Sequence, residues 1–379
     1  MEALILGWYV LVETGSVLLL TLYASLLYIG TLVAPIFGVL GDRVGQRTVL
    51  FGTRTAYLAL ATIVTMLAFT GTLSPLYVFI ISACTGLVRP SDIGVRSALV
   101  AATIPPNYLV SAMSISRMTA DSARVVGALA GAGLFVAFGI GPAYVAIACF
   151  YALSVLMLVG TGPETQMGPQ VERLSAWRDL KAGMAYIWNS PRLLAAMWIA
   201  FLINLCAFPL VTGVMPHVAK NIYGTDQTGL GYLVASLATG ALIGSVALSV
   251  AGERMRVERV MVATMIVWYV MLMVFGHLQN MSAGIVCLLI VGVTQSVTMV
   301  TLAVILLRAA APQYRGRVMG VRMLAIYGNP LGLLAGGALI ERIGYPATTM
   351  VYGGIGLAFT ALVIVRWREA ILSGDATDA

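Results

Sequence analysis

The chain runs to 379 residues, 60% of them hydrophobic and 10% charged, with a formal net charge of +7. No soluble domain of that length could cover so much apolar surface, so lipid is the solvent for most of it. The fold class that follows is an all-α polytopic membrane protein.

A helical span needs roughly 20 apolar residues, and about eleven such runs plus a fragment follow one another. Ala3–Leu11 is the fragment, too short to cross. Spans are predicted at Ser16–Leu40, Val49–Phe69, Leu76–Val100, Ser111–Phe138 and Pro142–Val159. The hydrophilic stretch Thr161–Pro191 is the longest in the chain. Six more spans are predicted beyond it, at Leu193–Val218, Gly229–Val250, Val260–Phe275, Ala283–Leu307, Val318–Ile340 and Thr348–Val365. The predicted organisation is an N-terminal bundle over 1–160, a cytoplasmic linker over 161–191, a C-terminal bundle over 192–367 and a cytoplasmic tail over 368–379. Met1 leads straight into apolar sequence, so no cleavable signal peptide is expected. The first helix reads as truncated: a fuller form would add about 20 mostly apolar residues before Met1, and Glu13 is expected at the outer surface.

Charge fixes the orientation, because positive residues near spans stay on the cytoplasmic side. The connectors assigned to the cytoplasm carry Arg43, Arg47 and Arg54; Arg173, Arg178, Lys181 and Arg192; Arg254, Arg256 and Arg259; and Arg308, Arg315 and Arg317. Those assigned to the outside carry only Lys220 and Arg342. The net positive charge therefore describes one membrane face and implies no nucleic-acid partner.

Cys84, Cys149, Cys206 and Cys287 each sit in an apolar run and read as small hydrophobes. The only two histidines, His217 and His277, lie near predicted outer ends. These residues imply no metal site and no catalytic residue, and the chain does not read as an enzyme. No cofactor is implied, and the lack of a G-x-x-x-x-G-K-[ST] loop argues against a nucleotide-driven pump.

The two halves look like copies. GALAGAGLFVAFGIGPA from Gly127 resembles GLLAGGALIERIGYPA from Gly332, 205 residues on. Gly41-Asp42-Arg43 has a counterpart in Gly252-Glu253-Arg254, 211 residues on. Small residues let membrane helices pack whatever their job, but shared composition does not give two matches nearly the same offset. Parallel repeats of six helices are the architecture of rocking transporters, with the site at the midplane between them.

The run G-V-L-G-D-R-V-G-Q-R, Gly38 to Arg47, resembles the signature between the second and third helices of the major facilitator superfamily, G-x-L-a-D-r-x-G-r-[KR]. It matches at Gly38, Leu40, Asp42, Arg43, Gly45 and Arg47. Gly38 and Gly45 permit a tight turn. Asp42 can face the positive end of another helix, which would latch the two halves on the cytoplasmic side. Leu6-Gly7-Trp8-Tyr9-Val10 with Thr14-Gly15-Ser16, Arg315-Gly316-Arg317-Val318-Met319, and Asp179-Leu180-Lys181-Ala182-Gly183 through Ser190-Pro191 resemble the enterobactin-exporter-like and drug-proton-antiporter branch. The fourth helix lacks the Arg-x-x-Gln-Gly pattern usual in that superfamily's antiporters, so the resemblance does not carry proton antiport with it.

In the linker, Leu174, Trp177, Leu180 or Lys181, Met184, Ile187 and Trp188 recur at helical spacing beside Arg173, Arg178 and Lys181. Such a helix could lie along the inner membrane surface or pack against the inner ends of the bundles.

The chemistry is expected where charge enters the membrane. Arg89, Asp92 and Arg96 share one face of the fourth span, and Arg117, Asp121 and Arg124 one face of the fifth. Facing lipid, each deep charge would cost about 2.5 to 3.5 kcal/mol, so they face protein or water. Depth along antiparallel helices makes Arg89 with Asp121 the first candidate pair and Asp92 with Arg117 the second. The surplus of arginine could meet an anionic substrate group or hold Asp121 or Asp92 as a proton site; a permanent ion-pair network locking two helices is the alternative. The C-terminal half offers Asn204, Gln295 and Asn329 as cavity candidates or as helix-to-helix hydrogen bonds. Pro209 and Pro330 predict bends in the seventh and eleventh spans.

Together these features point to a secondary active transporter in the inner (plasma) membrane, exporting a small amphipathic or anionic compound by alternating access. Its expected partners are the lipid bilayer, the small-molecule substrate and, as candidate coupling ion, protons; a monomer is expected. The rival from another class is a non-transporting ligand sensor or lipid-handling scaffold with the same fold.

Overall fold

The computed structural model describes residues 1–33, 46–103, 109–159, 176–251, 256–311 and 314–367, and helix dominates all of them. Eight helices among them are long and apolar enough to cross a membrane, and Val17–Thr31 and Pro75–Arg89 are shorter apolar stretches.

The first helix, α1, spans Glu2–Thr14, so the Ala3–Leu11 fragment is one part of a 13-residue helix. It is shorter than a bilayer core, about 20 Å at 1.5 Å per residue. Gly15, at φ 65, closes it by donating its N–H to the Leu11 carbonyl. Ser16 then opens α2 (Val17–Leu26), its hydroxyl accepting from the Leu19 N–H. A left-handed glycine followed directly by a serine cap reverses the chain in two residues. Glu13 is exposed beside this turn, at the end of α1 that the charge pattern puts outside. A 3-10 turn at Ile29–Val33 follows α2. The gating-motif residues Gly38, Asp42, Arg43 and Gly45 lie outside the described residues.

Helices α3 (Gln46–Phe69), α4 (Pro75–Thr103), α5 (Leu109–Phe138) and α6 (Ile140–Val159) match the predicted spans to within a few residues. Arg47 starts α3 and donates to the Leu158 and Val159 carbonyls at 2.9 and 3.1 Å. A guanidinium thus sits on the open carbonyl end of α6 and ties it to α3.

The linker helix α7 (Ala176–Trp188) docks on the start of α12 (Arg315–Ala325). Tyr186 stacks on Tyr314 with ring centroids 4.2 Å apart, and its hydroxyl accepts from the Ala311 N–H at 3.1 Å. Ile187 is buried on the docked face while Met184 and Trp188 are exposed. One face of the linker helix thus packs on the start of α12, and the other stays open.

The seventh span is broken. It begins as α8 (Pro191–Leu202) and passes through a π turn at Ile203–Ala207, short helices at Pro209–Thr212 and Met215–His217, and a second π turn at Val218–Ile222. Pro209 has no N–H to give the Leu205 carbonyl, and the Phe208 N–H reaches back to Ile203 at 3.1 Å. Gly328 and Gly332 pack against this loosened backbone, which leaves no room there for a Cβ. The Tyr345 hydroxyl donates to the Leu210 carbonyl at 3.1 Å. Irregular backbone at membrane depth survives because protein, not lipid, surrounds it.

The chain continues through α9 (Gln227–Ala251), α10 (Val257–His277) and α11 (Met281–Ala309). Gly240 of α9 and Gly292 of α11 sit against the other helix's backbone, so these two cross at the closest approach helices allow. The last two predicted spans run as α12 and α13 (Gly328–Arg366), with Pro330 in the first turn of α13 just after the interruption. α13 is two helices reversed at Gly344, whose φ of 81 and ψ of 164 suit only glycine. The reversal brings the Tyr352 hydroxyl back to the Gly332 carbonyl at 2.6 Å.

Candidate functional site

A cavity of about 260 Å³ lies between the N-terminal and C-terminal helices. Met1, together with Ala3, Leu4 and Gly7 of α1, walls it with Tyr23 and Ala24 of α2 and Arg124 of α5. Thr212, Gly213 and Pro216 come from the broken seventh span, and Leu230 and Val234 from α9. The break builds the wall: a straight helix would carry Thr212 and Gly213 inside a regular backbone ladder.

Above and beside the cavity the two sides are sewn together. Ser16 donates to Glu341 at 2.7 Å and the Leu18 N–H donates to the same oxygen at 3.0 Å, so a carboxylate from α13 caps the start of α2. Thr21 packs on Gly337, and Ser25 donates to the Pro330 carbonyl at 3.3 Å. At the lower end of this seam the Tyr327 hydroxyl donates to the Ile29 carbonyl at 3.0 Å. A second seam brings Gly231 of α9 onto Ala128 and Ala132 of α5.

The side chain that brings charge to the cavity wall is Arg124. Asp121, one turn earlier and 1% exposed, holds it at 3.3 Å while 56% of the arginine side chain stays exposed. The expected pairing of Arg89 with Asp121 is corrected here. Arg89 lies over the Tyr28 ring, 5.2 Å from its centroid. Helix contact explains the difference: Gly86 packs on the Leu26 carbonyl and Gly30 on the Gly86 carbonyl, which sets Tyr28 beneath Arg89. Arg124, an i, i+3 neighbour, supplies Asp121 with a cation. The side chains of Asp92, Arg96 and Arg117 lie outside the described residues, and so does the second expected pair.

The uncharged candidates separate. Asn204 donates to the Ala200 carbonyl of its own helix at 2.8 Å, and Gln295 is partly buried on α11. Asn329 is buried with its side-chain oxygen unpartnered among the described residues. None of the three lines the cavity.

The sequence profile of the Major Facilitator Superfamily matches residues 3–329 and again 210–377. The chain belongs to the Major Facilitator Superfamily. Macrolide efflux protein A of Streptococcus pyogenes is 21% identical over 343 residues, covering 89% of this chain and 84% of that protein. The multidrug efflux pump Tap of Mycobacterium tuberculosis is 26% identical over 220 residues, 57% of this chain and 50% of its own length. Among solved structures, a point mutant of the nucleoside transporter NupG superimposes with a TM-score of 0.74 at 13% identity, covering 96% of this chain and 94% of that one. The human organic anion transporter MFSD10 (TETRAN) gives 0.68 at 16%, covering 92% and 83%. These likenesses establish the fold: a multi-pass transporter of two pseudo-symmetric six-helix bundles, as the internal repeats implied.

Sequence reasoning missed one part of this transporter's interior. Glu2 faces the N-terminal bundle, where the Tyr151 hydroxyl donates to its carboxylate at 3.1 Å. The signal was present: Tyr144 and Tyr151 are seven residues apart on one face of α6, and Glu2 is an acid at the start of an apolar run.

Proposed function

We propose that this transporter exports a small amphipathic compound with an anionic or strongly accepting group across the inner (plasma) membrane, by alternating access and coupled to protons. The observation that carries the reading is Arg124. In an otherwise mostly apolar wall, its guanidinium contacts only Asp121 among the described residues, leaving donors for an acceptor on the substrate. Efflux proteins among the relatives support the outward direction. The bundles 1–160 and 192–367 rock about the cavity, the segment 161–191 tethers them, and Asp42 latches the cytoplasmic side while Glu341 holds the outer one. Asp92 and Arg117 serve the same charge network as Asp121 and Arg124, Arg89 acts apart from it over Tyr28, and the unit is a monomer.

The test is counterflow in proteoliposomes with labelled taurocholate, an amphipathic anion, beside labelled erythromycin, a macrolide. Taurocholate is expected to exchange, and Arg124→Gln to slow it about ten-fold, the equivalent of ~1.4 kcal/mol. Binding of either probe without exchange would favour the sensor or lipid-scaffold reading.

A further inference from the structure

Glu2 opens α1, about 18 Å from the outer end of that helix at 1.5 Å per residue. It is an acid inside the membrane that the substrate reading does not use. Tyr151 donates to it at 3.1 Å and leans on Tyr57, ring centroids 5.4 Å apart. Tyr144 is fully buried beside them, with its hydroxyl unpartnered among the described residues. Tyr23 closes the α2 side, its hydroxyl 3.4 Å from the Ala3 carbonyl. The charge within electrostatic reach of Glu2 from another helix is Arg89 of α4; Arg54 of α3 acts on Tyr151. α5, which also touches α1, brings Arg124 to the cavity wall instead.

Position decides what this carboxyl can bind. Met1, Ala3 and Leu4 line the cavity and Glu2 does not, because successive helical residues point about 100° apart. The cavity is thus lined by its neighbours, while the Glu2 carboxylate turns to the Tyr151 hydroxyl. A proton needs no room. A carboxylate there gives up hydration for a single hydroxyl donor, while the neutral acid keeps that partner at a far smaller desolvation cost.

We propose that Glu2 is the carboxyl whose protonation couples this transporter to the pH gradient. Its transport arm rests on the efflux reading above. Uptake of one proton turns an acceptor-only carboxylate into a neutral acid with a donor of its own, so Tyr151 keeps its hydrogen bond while the pull of Arg89 on α1 ceases. The opposite face of α1 walls the cavity, and its Gly7 faces Pro216 of the broken span. Proton and substrate would thus act on two faces of one short helix, and the same proton leaves when the helix returns.

Two measurements on the full chain in liposomes test this. In pH-difference infrared spectra, the wild type is expected to show a titrating carboxyl C=O band that Glu2→Gln removes and Glu2→Asp retains. Tyr151→Phe should move its midpoint to higher pH, because the lost donor favoured the charged form. In the second measurement, taurocholate accumulation driven by a pH gradient should fall about ten-fold in Glu2→Gln. An unchanged band in Glu2→Gln overturns the assignment, and so does accumulation that still follows the gradient in that variant. If Glu2→Gln does not fold, the Tyr151→Phe titration decides alone. Failure of the wild type to exchange taurocholate sinks the substrate reading and leaves the infrared result to judge Glu2.

Discussion

On the N-terminal side the described residues place charges at depth, Glu2, Arg89, Asp121 and Arg124 among them, fenced by tyrosines and held by ion pairing and ring contacts. On the C-terminal side the backbone of the seventh span is loosened at two π turns and covered by glycines and the Tyr345 hydroxyl from α13, beside uncharged polar side chains. Charges can gain and lose protons or counter-ions. Loosened backbone can bend. The cavity lies where the two meet, with ion chemistry on one wall and a deformable segment on the other.

The largest expected effect tests the packing of the C-terminal side. Gly240→Val puts a branched side chain into the α11 backbone at Leu289, so thermal unfolding in detergent should reveal a loss of about 3 kcal/mol. Gly133→Ala on α5, with open space around it, should stay within about 1 kcal/mol of the wild type. Equal damage from the two would erase the contrast between a close-packed crossing and an open helix face.

An intermediate effect is expected from the charges. Asp121→Asn should cost about 1 to 3 kcal/mol by weakening the hold on Arg124. Adding Arg124→Gln should restore part of the melting temperature, whereas adding Arg89→Gln should not, since Arg89 rests on Tyr28. Rescue by the Arg89 change instead would reinstate the interhelical pair that depth along the sequence suggested.

The smallest effect belongs to the outer seam. Glu341→Gln removes a charge from the start of α2, worth about 0.3 to 1 kcal/mol. Labelling of a cysteine placed at Gly7 from the outside should rise about two- to five-fold, in keeping with that energy. No change in labelling would remove Glu341 from the closure.

Most of the fold was legible because span length and repeat offset are properties of composition along a line. The predicted Val49–Phe69 and the observed Gln46–Phe69 differ by one helical turn at one end. What the line did not carry was rotation about each helix axis. Depth put Arg89 level with Asp121, but the glycine contact at Gly86 turned it onto Tyr28. Pro209 announced a bend, yet the loosened backbone around it is covered by Gly328, Gly332 and Tyr345, more than a hundred positions away. Glu2 was passed over because a fragment too short to cross looked like a remnant, when every residue from Leu4 to Leu11 except Tyr9 is buried.

The broken seventh span also bears on how the protein is made. Its loosened carbonyls are covered by Gly328, Gly332 and Tyr345, which leave the ribosome long after Pro209 has entered the bilayer. Until then that segment sits in lipid, or in the keeping of the insertion machinery, with backbone acceptors that only the final hairpin can satisfy. Maturation of the C-terminal bundle is therefore gated by its last two helices, and a nascent chain halted before Gly328 would present quality control with a recognisable, unfinished membrane segment.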